Sequence, residues 1–338
     1  MNSHRIKKQK GVALIIVLLI VALVSIIATE MGGRLQLQVQ RVINIKDNNQ
    51  AYWYAVGAEQ FARKSVQQIL DLDDGVVHLN QPWSQGDLQF PLDGGGIQAT
   101  ITDMRSCFNV NALQVSQDVA GSNASNETTI LDARRDAFFR LVQNLEVNVP
   151  PLEAETLRDS LIDWLDADDS IYGSFGAEDS EYQSRRNPYL AANDLMGHKS
   201  ELRLVNGVDP KWINGLLPFV CAIPGNNELK VNINTIDSEN AIILQALLNL
   251  PGVSDAQDLL SARPRDGYED INDFFQEAEV AALNLSDEQR NWFDVTTEYF
   301  ILDTKTRYND ATFSMSSVLQ VEENNRISVL RREFGGIK

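Results

Sequence analysis

Seven carboxylate side chains crowd a short stretch in the middle of the chain. They are Asp163, Asp166, Asp168, Asp169, Glu178, Asp179 and Glu181. Like charges at this density repel one another unless solvent or a cation relieves them. Hard oxygen ligands of this kind suit Ca²⁺ or Mg²⁺. The pattern therefore leaves two interpretations open, a divalent-cation site and a solvated acidic loop.

The spacing of these carboxylates departs from the EF-hand calcium loop. Asp166-x-Asp168 begins like that loop, but Ile171 stands where glycine is needed and Ala177 where glutamate is needed. Glu178 follows one residue late. Any cation site here must therefore have a ligand arrangement of its own.

Other residues offer little chemistry. The chain has three histidines, His4, His78 and His198, and neither of the last two lies in a recognisable nucleophile motif. The sequence carries no Gly-x-Ser-x-Gly, no phosphate-cradling loop and no Cys/His zinc spacing. The acidic cluster by itself would also suit a metal-dependent hydrolase. We nevertheless predict that the protein is not an enzyme.

The two cysteines are Cys107 and Cys221. An oxidising compartment would allow them to form a disulfide, whereas two separate buried thiols would fit the sequence equally well. Their distance in the fold decides between these readings, and the sequence does not give it.

One apolar run must anchor everything that follows it. Val12 to Ala28 contains no charge, and as a helix it would be about 25 Å long, close to the ~30 Å of a hydrocarbon core. Gly11 precedes the run, behind a short basic leader, and no small-residue cleavage site follows it. Because residues 34–70 lack proline, we expect one helix from Val12 to about Leu70.

The charge distribution predicts how the chain is oriented in the membrane and argues against nucleic acid as a partner. The chain of 338 residues has a net charge of −18, while the leader before the apolar run is basic. The positive-inside rule then leaves the leader in the cytoplasm and places the body across the membrane. So acidic a body argues against binding nucleic acid through its phosphates.

The remaining pattern opens with strands, continues with helices and closes with strands. We expect a loop over 80–96, a strand near 97–101, a linker over 116–128 and helices over 130–145, 152–165, 191–196, 201–205 and 210–216. Residues 231–275 have the pattern of a helix-hairpin-helix module, whose turn at Pro251-Gly252 lacks the second glycine of DNA-binding versions. Strand patterns return from Phe293 onward, and a run with period two begins at Tyr299. This order predicts an α+β fold with a helical domain inserted into a sheet.

The basic leader, Gly11 and the apolar helix resemble the class III signal of type IV pilins and type II secretion pseudopilins. Such a signal is cut after the glycine by a prepilin peptidase, which would make Val12 the mature N-terminus and leave it open to methylation. Mature pilins carry glutamate at the fifth position, and this chain has Ile16 there. The absence of that glutamate is a mark of the K-type minor pseudopilin of type II secretion.

Internal stretches are similar to the same family. They are residues 161–169 (LIDWLDADD), 176–179 (GAED), 201–205 (ELRLV) and 231–235 (VNINT). The resemblance implies a pilin-like antiparallel-sheet head on the long helix, with an inserted α-helical domain of sterile-alpha-motif type. The implied division is 1–11 leader, 12–30 transmembrane, 31–112 helix and first strands, 113–290 insert (parts 113–225 and 226–290), and 291–338 closing strands.

The resemblance also implies a function. It predicts a minor pseudopilin at the tip of the pseudopilus, in a complex with I-type and J-type minor pseudopilins that initiates assembly for protein export. It places the chain in the inner membrane of a Gram-negative bacterium as a single-pass protein with a periplasmic body. It also favours structural Ca²⁺ in the acidic stretch. We expect backbone carbonyls of the 172–177 turn to complete a ligand set whose first choices are Asp166, Asp168, Asp169, Glu178 and Asp179, with Asp163 and Glu181 in reserve. The alternative is a membrane-anchored periplasmic metal-binding hydrolase or binding protein.

Overall fold

The computed structural model describes residues 12–73, 75–114 and 124–335. The predicted leader, including Gly11, and residues 116–123 of the predicted linker lie outside these ranges. In the described part, the order of elements is a long helix, two strands, a helical region and three closing strands.

Helix α1 runs unbroken from Val12–Leu72, as the uninterrupted apolar and proline-free sequence predicts. Its first part is long and apolar enough to cross a membrane, and its most apolar stretch of 18 residues is not buried in the described structure. In its second part, small residues such as Ala51, Ala55 and Ala62 recur on one face and are buried. Alanine side chains let this half of the helix lie close against the sheet.

The main sheet has five antiparallel strands, which are β1 Leu88–Leu92, β2 Gly95–Asp103, β7 Tyr299–Tyr308, β8 Ala311–Val321 and β9 Ile327–Phe334. They lie side by side in this order, and the short strands β3 to β6 lie outside this sheet. The core between α1 and the sheet contains apolar side chains from both, such as Val66, Ile101 and Leu302. Glu59 of α1 is also buried, where Arg332 donates to its two oxygens at 2.6 and 2.8 Å.

The helical region is an insertion between two neighbouring strands. The chain leaves the sheet after Asp103 and returns at Tyr299, and β2 pairs directly with β7 from Gly95↔Tyr308 to Asp103↔Phe300. We call residues 104–298 the insert. Its helices are α2 Ala124–Gln143, α3 Pro151–Leu165, α4 Asp179–Gln183, α5 Ile213–Leu216, α6 Ala241–Leu248, α7 Val253–Ala262, α8 Ile271–Gln276, α9 Ala278–Ala281 and α10 Asp287–Arg290. Its short strands are β3 Phe108–Asn109, β4 Val220–Cys221, β5 Val231–Asn232 and β6 Phe293–Asp294.

The insert is attached at the end of α1 farthest from the apolar run. Just beyond the helix, Val77 N donates to Val295 O at 3.0 Å, and Thr296 Oγ1 donates to Gly75 O at 2.7 Å. The side-chain amide of Asn232 donates to Val77 O at 3.0 Å. The bulk of the insert therefore lies at the opposite end of the molecule from the predicted anchor.

A buried polar group of four residues joins the insert to the sheet. We call Asp103, Arg105, Asn232 and Thr235 the joint. Asp103 accepts hydrogen bonds from Arg105 N at 2.7 Å, Asn232 Nδ2 at 3.1 Å and Thr235 Oγ1 at 2.6 Å. The VNINT stretch that carried part of the family resemblance thus supplies two of these donors.

Beside the joint, Cys107 and Cys221 lie at bonding distance, with their sulfurs 2.10 Å apart. The structure thus favours the disulfide over two separate thiols. The bond ties the segment that enters the insert to β4, which lies alongside β3. It closes a loop of 114 residues along the chain.

The helix-hairpin-helix stretch forms α6, α7 and α8, and it packs into the insert. Every residue of α6 is buried. The amide of Gly252, at the turn where a DNA-binding version would contact phosphate, donates instead to Asp255 Oδ2 at 2.9 Å. This geometry fits a packing role.

Three sequence predictions are wrong. Residues 80–96 are not all loop, because β1 and the start of β2 lie there; Pro91 is accommodated since β1 is an edge strand. Residues 191–196 form no helix, and Asn193 has a left-handed backbone with φ of 48°. The linker is shorter than expected, because α2 already begins at Ala124.

Candidate metal centre

The end of helix α3 begins the acidic site. Pro151 opens this helix at its first position, where a missing N–H costs nothing, and Asp166 follows its last residue. Asp163, in the last turn, is fully buried, and its Oδ1 accepts a hydrogen bond from Tyr172 N at 2.8 Å. This bond folds the following chain, residues 166–178, back over the helix end. We call these residues the acidic loop.

The acidic loop brings three of the predicted ligands together. One oxygen each from Asp166, Asp168 and Glu178 lies within 4.8 Å of the other two. Two oxygens on opposite sides of a Ca²⁺ ion are separated by about 5 Å, because each Ca–O distance is about 2.3–2.6 Å. The spacing of the three carboxylates therefore suits one divalent cation between them.

Two of the three carboxylates are buried and have oxygens without a donor in the described structure. Asp166 and Glu178 are only 6% and 4% exposed. Within the described part of the chain, Asp166 Oδ1 and both carboxylate oxygens of Glu178 have no hydrogen-bond partner. Buried ionised oxygens need a partner, and a cation would supply it. The donor set thus fits a hard divalent cation.

The electrostatics of the loop agree with this reading. Burial, followed by the charges of Asp168 and Asp163, raises the pKa of Asp166 to about 7. Burial and the neighbouring carboxylates raise the pKa of Glu178 to about 7 as well. Burial also raises the pKa of Asp163, to about 6. Without a cation, the group therefore holds protons close to neutral pH.

The other predicted ligands lie outside this group of three. Asp169 is exposed beside it. Asp179 begins α4, and its Oδ1 accepts a hydrogen bond from Ala191 N at 2.9 Å. Glu181 is exposed on the same short helix. Asp163 lies directly behind the three, with one oxygen committed to Tyr172.

Several residues that shape the loop were not singled out from the sequence. Arg135 donates to Tyr172 Oη at 2.9 Å, and its guanidinium lies 4.7 Å from the centre of that ring. The same arginine pairs with buried Asp159 at 3.2 Å. A side chain at Gly176 would not fit, since its Cβ would lie 2.2 Å from Asp163 Oδ2. Gly173 and Gly176 within an acidic stretch were the available signal for this tight turn.

Comparison with known protein families gives two matches. Family models described as type II secretion system (T2SS), protein K, match residues 106–225 and 231–296. Two similar proteins, both called type II secretion system protein K, come from Aeromonas hydrophila and Pectobacterium carotovorum. The first is 36% identical over 333 residues and the second 34% identical over 337 residues, each match covering 98% of both chains.

A solved structure is also similar. It is a chain in the crystal structure of the GspK-GspI-GspJ complex from the type 2 secretion system of enterotoxigenic Escherichia coli. The match has a TM-score of 0.74 and 31% sequence identity, and it covers 89% of this chain and 100% of that chain.

Proposed function

The chain belongs to the protein K family of type II secretion systems, and we propose that it initiates the pseudopilus from its tip. It is a minor pseudopilin of the tip complex, with the I-type and J-type minor pseudopilins as partners. Together these subunits would start the filament that drives protein export across the outer membrane. Other pseudopilins would then be added from the membrane side.

The position of the insert is the observation that carries the tip role. The insert is attached at the end of α1 that lies farthest from the apolar run. A filament subunit built in this way has its bulk where another subunit would have to stack. Ile16 also supports the tip role. A glutamate at this position of a pilin would face the free amine of a neighbouring helix in an apolar surrounding. A subunit lacking that glutamate fits where no subunit lies above it.

Co-expression with tagged I-type and J-type subunits tests this function. The full chain should co-purify with both from detergent, and site-specific cross-links should place it at one end of the pseudopilus. Ile16→Glu should cost the protein little, while the partners should still need their own glutamate at the matching position. Repeated cross-links along the filament shaft would contradict the tip role.

Processing follows from the leader. Prepilin peptidase would cut after Gly11, leaving Val12 as a methylated N-terminus and α1 in the inner membrane with the body in the periplasm. The exposed apolar half of α1 supports a single span. Mass spectrometry of the mature protein should find Val12 first, and Gly11→Val should block cutting. An intact Met1, or a chain starting near Glu30, would contradict this scheme.

A structural Ca²⁺ ion in the acidic loop is part of the proposal. Asp166, Asp168 and Glu178 would hold it, with Asp163 behind them and Asp169 beside them. Backbone carbonyls of the 172–177 turn would complete the six to eight oxygens that Ca²⁺ takes. The buried carboxylate oxygens without donors support a cation here. An irregular loop suits the flexible coordination of Ca²⁺ better than the strict octahedron of Mg²⁺.

The alternative of a membrane-anchored hydrolase is not favoured. The family to which the chain belongs is structural, and this fits a protein without catalytic activity. The cation would therefore serve to complete the fold of the insert. Turnover of a panel of small esters or phosphate esters by the purified full chain would contradict this assignment.

A further inference from the structure

A crevice of about 230 Å³ opens between α5 and the short 3₁₀ helix Lys199–Leu204. His198, Lys199 and Arg203 line it together with Asn214, Leu217 and Pro218. No carboxylate lines this crevice in the part of the chain that the structure describes. This is unexpected in a protein whose net charge is −18.

Two of these side chains, Lys199 and Arg203, are cations without an acidic partner among the described residues. Lys199 Nζ donates to Leu217 O at 2.8 Å, and Arg203 Nη1 donates to Asn214 Oδ1 at 3.2 Å. Among the described residues, no carboxylate oxygen lies within 4.0 Å of the charged nitrogens of Lys199 or Arg203. Burial lowers the pKa of Lys199, with the more distant Asp303 opposing it. Both side chains therefore keep N–H donors and a positive charge available to an anion.

A second cavity adjoins the crevice and brings a further cation. This smaller cavity, of about 140 Å³, shares His198, Lys199 and Pro218 with the crevice and is also lined by Arg331 and by Asp103, whose carboxylate is already bonded within the joint. The Nε of Arg331 is buried without a hydrogen-bond partner in the described structure. Glu333 lies nearby, 3.2 Å from Arg331 Nη2 and 3.6 Å from His198 Nε2, and it neutralises one of these charges. Lys199 and Arg203 form no ion pair among the described residues, although Asp303 acts on Lys199 from a longer distance.

The walls indicate which anion would fit. Leu217 and Pro218 add apolar wall beside the donors, and such a wall suits the methylene groups that carry a carboxylate, which a phosphate ion lacks. Pockets for drug-sized ligands are about 300–1,000 Å³, so this crevice suits a smaller group. We propose that the crevice binds a carboxylate, presented by a small free acid or by an acidic side chain of another protein chain.

Protection of Lys199 from acetylation tests the proposal on the full-length protein in detergent. Succinate is the probe, and chloride keeps the ionic strength constant. When succinate is at about twice its dissociation constant, modification of Lys199 should fall about threefold, because only the free protein reacts. Lys64, which is exposed on α1 and donates to Gln67 Oε1, is the internal control and should react at an unchanged rate.

Variants separate a site from general screening. Arg203→Ala should abolish the protection of Lys199, whereas Arg186→Ala, also at an exposed arginine, should leave it intact. Asn214→Asp would place a carboxylate beside Arg203 and should weaken succinate protection without truncating either cation. Equal protection by chloride, by phosphate or in Arg203→Ala would overturn a carboxylate site.

A second arm identifies the source of the carboxylate. A carbodiimide activates a carboxylate and leaves as its urea while Lys199 Nζ loses a proton and forms an amide. A cross-link from Lys199 to a co-purified I-type or J-type subunit, lost in Lys199→Arg, would identify a protein side chain. Protection by succinate without such a cross-link would identify a small acid. Absence of both would overturn the proposal and leave the tip role unaffected.

Discussion

The joint beside the sheet and the acidic loop after α3 both bury an aspartate side chain. In the joint, Asp103 is 1% exposed and accepts three hydrogen bonds from protein donors. In the acidic loop, Asp166 is 6% exposed and one of its oxygens has no donor in the described structure. Burial raises the pKa of Asp103 to about 6 and that of Asp166 to about 7.

The difference teaches how each region completes its fold. The chain itself supplies hydrogen-bond donors to the Asp103 carboxylate, because Thr235, Asn232 and the Arg105 amide all donate to it. The acidic loop brings carboxylates together, and several of their buried oxygens have no donor in the described structure, so a cation from outside the chain would have to stabilise them. The joint should therefore be indifferent to divalent cations, whereas the loop should respond to them.

The largest effect should come from Asp103→Ala. It removes an acceptor from two buried side-chain donors and one amide, and a fully unsatisfied group costs about 1–3 kcal/mol. Because Asn232 and Thr235 each keep a second acceptor, in Val77 O and Asn232 O, we expect a loss of about 2–5 kcal/mol in unfolding free energy, less than the sum for three unsatisfied groups. Denaturant unfolding of the full chain in detergent, with and without Ca²⁺, measures it. Asp258→Ala on the exposed surface of α7 is the control and should stay within about 0.5 kcal/mol of wild type. A loss that added Ca²⁺ restores would contradict the distinction between the two regions.

Next in size should be loss of the disulfide. Replacing both cysteines, Cys107→Ser with Cys221→Ser, should lower the unfolding free energy by about 2–4 kcal/mol. Reduction of the wild-type protein should have a similar effect, and peptide mapping without reductant should find one linked pair. Two freely alkylated thiols in protein from the periplasm would contradict the bond.

Removal of Ca²⁺ should have a smaller effect. Binding to the folded state alone stabilises it by RT ln(1 + [L]/Kd), about 1–3 kcal/mol at ten to a hundred times Kd. Chelation should lower the melting temperature, and Ca²⁺ should restore it better than Mg²⁺. Asp168→Ala with Glu178→Ala should abolish this response, while Glu181→Ala, outside the group of three, should retain it. A melting curve insensitive to chelator would leave the loop a solvated acidic surface.

The smallest effect should be the pH dependence of that binding. The raised pKa values of Asp166 and Glu178 mean that the metal-free fold binds protons near pH 7, so the metal-free protein should gain stability as pH falls through 7. Ca²⁺ competes with those protons, so each of the two carboxylates should lower the Ca²⁺ affinity about tenfold, or about 1.4 kcal/mol per carboxylate, between pH 8 and pH 6. Calorimetry in two buffers of different ionisation enthalpy should show proton release. Affinity independent of pH would show that these carboxylates are not ligands.

The sequence predicts the large features because each rests on a local pattern. Helix α1 follows from an apolar run and the absence of proline, and its bounds agree with the expected Val12 to about Leu70. The closing strands follow from alternation of side chains, and the α+β class is confirmed. The edge strand β1 was missed because Pro91 and the glycines at 94–96 gave the pattern of a loop.

The candidate site was predicted as a set of residues but not as an arrangement. Seven carboxylates were named, yet only Asp166, Asp168 and Glu178 converge. Their convergence depends on the bond from Tyr172 N to Asp163 and on the lack of a side chain at Gly176. Such contacts join residues across a turn, and neither periodicity nor composition reports them.

The direct pairing of β2 with β7 has a consequence for how the chain folds. Asp103 and Phe300 are partners in the sheet, although the entire insert separates them in sequence. Contacts between residues so distant along the chain are slow to form, since the entropy of closing a long loop must be lost first. An insert that has already collapsed around its own core brings its two ends together and shortens the effective loop. Folding of the insert is therefore expected to precede completion of the sheet. Misfolding of the insert should then slow the pairing of β2 with β7.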